Sequence, residues 1–258
     1  TVPLTYQWQK NGASISDATS STYTTPATTI ADNGAQFRVI VSNSLGNATS
    51  NAAILTVNPI NPADVVTQHN DNERTGQILS ETTLTPANVS STTFGNLGVF
   101  PVDGKVDAQP LYLSNVTIPG QGIHDVLYVV TEHNTAYALD ATSGGVLWSK
   151  SALGIGETQG DDQGCGQVKP EIGITATPVI DRAGGPNGAI YFVAMTKDGS
   201  GQYIQRIHAL DIATGAELFG GPKAIEASYP GTGANSDGQN VIFDPSQYKE
   251  RSGHGITA

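Results

Sequence analysis

Apolar and polar residues alternate with a period of two over Gln36-Phe37-Arg38-Val39-Ile40-Val41-Ser42, which sets Phe37, Val39 and Val41 on one side, and again over Ala53-Ile54-Leu55-Thr56-Val57. Successive side chains of a strand point to opposite faces, so this pattern predicts half-buried antiparallel strands. Further along, the apolar positions form short continuous runs, Val126-Leu127-Tyr128-Val129-Val130 and Ala189-Ile190-Tyr191-Phe192-Val193-Ala194. Clusters of Gly, Asn and Asp separate them, as turns separate short strands. No segment keeps a helical period beyond about two turns. The pattern predicts an all-β chain.

Composition sharpens this picture. Charged residues make up 14% of the chain, against a usual ~25%. Gly supplies 30 of 258 residues, so long solvent-exposed helices are not expected and turns are. Twelve basic and 23 acidic residues leave a net charge of −11, with little attraction for a phosphate backbone or anionic lipid. Nucleic acid is therefore not an expected partner. The single cysteine, Cys165, excludes an intrachain disulfide, a thiolate zinc cluster and a CxxCH haem attachment. No apolar stretch approaches the ~18 residues of a membrane-spanning helix.

At 258 residues the chain is long enough for two domains, since domains cluster near ~100–150 residues. The charge marks where they meet. Residues 1–58 carry Lys10, Arg38, Asp17 and Asp32 and sum to zero, so the remaining 200 hold all of the −11. Between them runs Asn58-Pro59-Ile60-Asn61-Pro62-Ala63-Asp64, in which each Pro pushes the preceding Asn to extended geometry. Residues 59–63 are thus read as a stiff linker between a domain at 1–58 and another at 64–258. The first residue is Thr1, with neither an initiator Met nor a leader, so the expectation is a processed or excerpted chain.

In the first domain, Tyr6-Gln7-Trp8-Gln9-Lys10-Asn11-Gly12 sets a Trp on a strand that ends in an Asn-Gly turn, and Ala31-Asp32-Asn33-Gly34-Ala35-Gln36-Phe37-Arg38-Val39 follows. These residues resemble the C strand and the E–F corner of a bacterial immunoglobulin-like domain. The resemblance implies a sandwich core around Trp8, with Phe37 in the place of the corner tyrosine and Val39 in that of the second cysteine. Only seven residues precede Trp8, so strands A and B are expected to be missing and the sandwich to be partial.

The second domain repeats itself. Ala138-Leu139-Asp140-Ala141-Thr142-Ser143-Gly144-Gly145-Val146-Leu147-Trp148 aligns without gaps on Ala209-Leu210-Asp211-Ile212-Ala213-Thr214-Gly215-Ala216-Glu217-Leu218-Phe219, 71 residues later. Upstream, Ala108-Gln109-Pro110-Leu111-Tyr112 matches Ala176-Thr177-Pro178-Val179-Ile180, so each copy is a multi-strand unit. In each turn Asp140 or Asp211 can accept backbone N–H bonds, Ser143 or Thr214 can assist, and Gly144 or Gly215 permits positive φ. The aromatic four residues on, Trp148 or Phe219, is expected buried against the neighbouring unit. Residues 153–172 are read as a long loop between the copies.

This pattern resembles the blade motif of quinoprotein (PQQ-type) β-propellers, and Asn70-Asp71-Asn72-Glu73-Arg74-Thr75-Gly76 with Leu84-Thr85-Pro86-Ala87-Asn88-Val89 resembles the segment that opens them. It implies two to three antiparallel blades over 64–258, fewer than the ~4–8 that close a ring. Gly255-Ile256-Thr257-Ala258 echoes Gly173-Ile174-Thr175-Ala176, as though another blade would follow. The dehydrogenases of that family carry a vicinal cysteine pair against the cofactor, whereas Cys165 stands between Gly164 and Gly166.

Little catalytic chemistry is legible. His69, His124, His133, His208 and His254 show no metal-ligand spacing, and His208 takes the repeat position of Tyr137, which suits packing. Glu157, Asp161 and Asp162, with Asn235, Asp237 and Asp244, are candidate oxygen ligands for Ca2+, without EF-hand spacing. The acidic surroundings of Cys165 disfavour a thiolate nucleophile. Asn47, Asn88 and Asn115 open N-glycosylation sequons. The leading expectation is a non-catalytic fragment of a secreted or cell-surface bacterial multidomain protein that binds or assembles. No cofactor of its own is expected. Its partners would be the remainder of a longer parent chain, neighbouring copies, or a glycan or protein ligand. The alternatives are part of a PQQ-dependent dehydrogenase and a subunit of an extracellular fibre completed by strand sharing.

Overall fold

A computed structural model of the chain describes residues 3–26, 28, 30–55, 63–79, 81, 83–96, 98–162, 164, 166 and 168–247. Within them every extended element is a β-strand in an antiparallel pairing, and the only helical turn is the 3-10 segment Ile30–Asp32. The chain divides into two compact units, Thr1–Ile60 and Asn61–Ala258. Most of the expected linker, residues 59–62, lies outside the described residues, as do Cys165, His254 and the Gly255–Ala258 echo.

The described residues of the first unit form one sheet of β1 (Thr5–Lys10), β2 (Ala13–Ser14), β3 (Gln36–Asn43), β4 (Gly46–Thr49) and β5 (Ala53–Ile54). Their order is β2-β1-β3-β4, with β5 also on β3. Asn11 and Gly12 both have positive φ, 51° and 84°. That is the geometry of the two-residue turn whose twist matches a hairpin, and Lys10 accordingly pairs with Ala13. Trp8 faces Val39 across β1 and β3, while Lys10 faces Phe37. Paired residues share a face, so Trp8, Val39 and Phe37 lie together, all half-buried. Tyr23 sits between the rings of Trp8 and Phe37, 6.0 Å from each. The Trp8 indole donates to the Ser20 carbonyl at 3.0 Å.

The second unit contains two meanders in succession. The first is β6 (Leu111–Ile118), β7 (Gly122–Val130), β8 (Thr135–Asp140) and β9 (Val146–Ser151), paired in that order. Next come two short strands, β10 (Thr158–Asp161) and β11 (Glu171–Ile172). They occupy the stretch expected to be loop, because β10 pairs with Thr196 and Lys197 at the far end of the second meander's second strand. That meander is β12 (Val179–Asp181), β13 (Ala189–Lys197), β14 (Tyr203–Asp211) and β15 (Lys223–Ala224), again paired in sequence. β16 (Ser228–Pro230) and β17 (Asn240–Ile242) form a separate hairpin.

The apolar runs read from the sequence are β7 and β13. Residues of both meanders, among them Leu111, Val126, Tyr128, Ile180, Phe192 and Leu210, form one continuous buried cluster. A bulge interrupts β6 between Leu113 and Val116. Amides that leave a ladder at a bulge need other acceptors. Here Asp64 accepts from the Ser114 N–H at 2.8 Å and its hydroxyl at 2.9 Å, and Asp125 accepts from the Asn115 N–H at 2.9 Å.

An aromatic ring joins one meander to the next. Trp148 is half-buried against the shared core, and its indole lies flat on Gly215, where a Cβ would come within 2.7 Å of the ring carbon Cε3. Gly144 is covered in the same way by Phe100, whose ring a Cβ there would strike. Phe219 departs from the expectation of burial. It is 64% exposed, and its ring stacks on Tyr191, the centroids 6.4 Å apart.

Trp148→Ala should therefore cost about 2–3 kcal/mol in urea unfolding followed by circular dichroism, less than the loss of a fully buried Trp. Gly215→Ala should also destabilise, by about 1–3 kcal/mol, through its positive φ and the clash. The penalty of Gly215→Ala should shrink in the Trp148→Ala background, where the ring is gone. Phe219→Ala should change stability by no more than about 0.5 kcal/mol.

Candidate functional site

The repeated residues form two turns of matching geometry. At the first, the Asp140 Oδ1 accepts from the Thr142 and Ser143 amides at 3.1 and 2.7 Å and from the Ser143 hydroxyl at 2.7 Å. At the second, the Asp211 Oδ1 accepts from the Ala213 and Thr214 amides at 2.9 and 3.0 Å and from the Thr214 hydroxyl at 3.1 Å. Gly144 and Gly215, at φ 71° and 69°, each donate to the carbonyl of their Asp at 2.8 Å. The other carboxylate oxygens are also engaged, Asp140 Oδ2 by His124 at 2.8 Å and Asp211 Oδ2 by Asn187 at 2.8 Å. The hydrogen bond from His124, then those from Ser143, hold the Asp140 carboxyl well below the usual carboxylate range, and the same contact raises His124. Both carboxylates are spent on holding turns.

Above these turns, the Tyr128 hydroxyl and the Trp148 indole both donate to the Ile212 carbonyl, at 2.9 and 3.0 Å. At the opposite end of β7 the meanders meet through polar groups. Gly173 lies so close to the Glu132 carbonyl that no side chain would fit there. Its N–H donates to the Glu132 carboxylate at 2.8 Å, joined by the Thr175 hydroxyl at 3.0 Å. Asn134 donates to the Met195 carbonyl at 2.8 Å. Glu132 is fully buried, and its Oε1 has no hydrogen-bond partner among the described residues. Burial, reinforced by the neighbouring Asp107, pushes its carboxyl up to about 7 against the two bonds that favour the anion. A second buried acid, Asp64, is ion-paired with Arg182 from β12's end.

The candidate ligands do not converge. Glu157 accepts both guanidinium nitrogens of Arg206 at 2.6 and 2.8 Å, Asp161 accepts from Lys197 at 2.7 Å, and Asp162 lies 4.0 Å from Lys169. Asn235 pairs with Gln247, while Asp237 and Asp244 cap their own turns. Among the described residues no group of three or more His, Cys, Asp or Glu is arranged to hold a metal ion. The histidines are dispersed: His69 beside the Arg74 carbonyl, His133 with Glu171 at 2.8 Å, and His208 buried against Phe192 and bonded to Glu217 at 3.2 Å. No helix is long and apolar enough to cross a membrane among the described residues. Asn47, Asn88 and Asn115 are exposed.

No protein-family profile matches the chain, and no curated protein or solved structure is found similar to it. The site must therefore be read from its own geometry. Glu132, Tyr128 and Phe100 are the residues that sequence reasoning passed over. For Glu132 a signal existed, an acid two residues past the apolar run of β7.

Glu132 makes stability depend on pH. Its carboxyl binds a proton more tightly folded, about 7, than at the ordinary 4.5. The folded state is thereby favoured fully below about pH 4.5, and that contribution is lost as pH rises through about 7. At about 1.4 kcal/mol per pKa unit the whole effect is on the order of 3 kcal/mol, of which roughly 2–3 kcal/mol is lost between pH 5 and pH 8. The stability difference between Glu132→Gln and wild type, from urea titrations at pH 5 and pH 8, should move in the variant's favour by that amount at pH 8.

Proposed function

We propose that this chain is a non-catalytic part of a secreted or cell-surface bacterial multidomain protein, in which an immunoglobulin-like module accompanies PQQ-type propeller blades that bind or assemble. The observation that carries the reading is the seam: Trp148 of one meander lies on Gly215 of the next, and Phe100 repeats that contact on Gly144. Such a seam stacks units of one kind side by side, as propellers and other repeat proteins do. The order β2-β1-β3-β4 around Trp8 supports the immunoglobulin-like reading, since it is the order expected of C′, C, F and G strands. Low charge and abundant Thr, Ser, Asn and Gly suit an extracellular β protein.

The residues present do not fit a quinone cofactor with calcium. The acidic side chains are held by Arg206, Lys197 and their own turns, and the sequence offers no vicinal cysteine pair beside Cys165. The purified chain incubated with pyrroloquinoline quinone and Ca2+, then desalted, should retain no stoichiometric quinone absorbance and oxidise neither alcohols nor sugars. Retained quinone at one per chain would favour the dehydrogenase reading instead.

A further inference from the structure

Residues 101–107 belong to no strand, yet they are fixed at both ends. Before them the Phe100 ring covers Gly144, and after them Ala108 is buried in the shared core. Between these anchors the segment is strapped across the β7–β8 turn. Asp103 accepts from the Thr131 hydroxyl at 2.9 Å and the Thr135 hydroxyl at 2.5 Å. Gly104 lies against His133, where a Cβ would come within 2.8 Å of the His133 Cβ. The Lys105 carbonyl accepts from the Glu132 N–H at 2.9 Å, and Asp107 sets its carboxylate beside that of Glu132.

Glu132 is thus held from two sides with opposite preferences. Towards the second meander, the Gly173 N–H and the Thr175 hydroxyl both donate to its Oε2, and such bonds strengthen when the carboxylate is charged. Towards the strap it meets another acid, and its Oε1 has no donor among the described residues. The other charged groups around it are engaged elsewhere. Lys105 pairs with Asp107 at 2.8 Å on the strap itself, Asp103 is held by the two threonines, and His133 pairs with Glu171 of β11 at 2.8 Å. We propose that residues 103–107 form a pH-operated strap, which Glu132 holds against the β7–β8 turn while protonated and releases on ionising, with the contact between the two meanders left intact. An ionised Glu132 repels Asp107 but grips Gly173 and Thr175 more firmly, so the strap is the side that yields. Opening also brings Oε1 into water, which relieves its burial without unfolding either meander. Because Glu132 keeps its proton up to about 7, the strap is closed in acid and opens as pH rises through that range.

Lys105 makes the strap a substrate for trypsin. In the full chain, cleavage after Lys105 should match that of Glu132→Gln at pH 6 and run about tenfold faster than in Glu132→Gln at pH 8, the change in open population that one pKa unit of coupling carries. Cleavage after Lys150 in β9 should not follow it. Asp107→Asn leaves Glu132 titratable but removes the charge that faces it, so this variant should match Glu132→Gln at both pH values. A folded wild-type chain cleaved after Lys105 no faster than Glu132→Gln at pH 8 overturns the proposal. Cleavage after Lys105 and Lys150 rising together also overturns it, by showing a loosening of the whole meander. Should Glu132→Gln fail to fold, amide exchange in the wild type decides. Corrected for intrinsic rates, the Glu132 N–H should lose protection between pH 6 and pH 8 while the Gly173 N–H keeps its own; equal behaviour of the two rejects the strap.

Discussion

A glycine at positive φ leaves a patch of bare backbone on which a ring can lie flat, and the packing of one meander on the next depends on that contact. The Asp turn exists to present it. Asp140 and Asp211 each gather three local donors on one oxygen, which fixes the turn and leaves Gly144 or Gly215 at its outer corner. Once Trp148 is seated on Gly215, its N–H and the Tyr128 hydroxyl reach the same Ile212 carbonyl. The apolar faces of β7 and β13 then close into one core. Ring, glycine and carbonyl act together, so a change to any one should be felt through the others.

The polar groups at the same seam work differently. Glu132 and Asp64 are taken out of water between elements far apart in sequence, and buried charge is costly unless it is paired and hydrogen-bonded. Asp64 has Arg182 and the amide and hydroxyl of Ser114 at the β6 bulge. Glu132 has the Gly173 N–H and the Thr175 hydroxyl but no cation, and it meets the cost by holding its proton. A broken contact here leaves an unsatisfied group behind, so these residues specify how the meanders meet more than they add to the strength of the contact.

How legible the fold was depended on how local each interaction is. The alternation around Phe37 and the runs at Val126 and Ala189 became β3, β7 and β13 because strand periodicity is a property of neighbouring residues. The Asp turns were legible for the same reason, since the bonds on each Asp Oδ1 come from residues two and three positions on, whereas His124 and Asn187 on the Oδ2 atoms are far in sequence. Phe100 was not, because it stands 44 residues before Gly144 while Trp148 stands 67 before Gly215, and the unequal loops erase the period. Phe219 occupies the expected place in the motif, yet its exposure depends on what lies beside the second meander, which no local pattern encodes. The candidate calcium ligands showed acidic composition only, and Glu157 and Asp161 proved to be partners of Arg206 and Lys197 across the sheet.

The most direct test of the seam is the proton spectrum of Gly215 in the folded chain. A ring lying on its Cα should shift at least one Gly215 Hα proton well upfield and give nuclear Overhauser contacts to the Trp148 indole, with both effects lost in Trp148→Ala. Gly215 Hα protons at random-coil positions, without contact to the indole in a folded chain, would contradict the account.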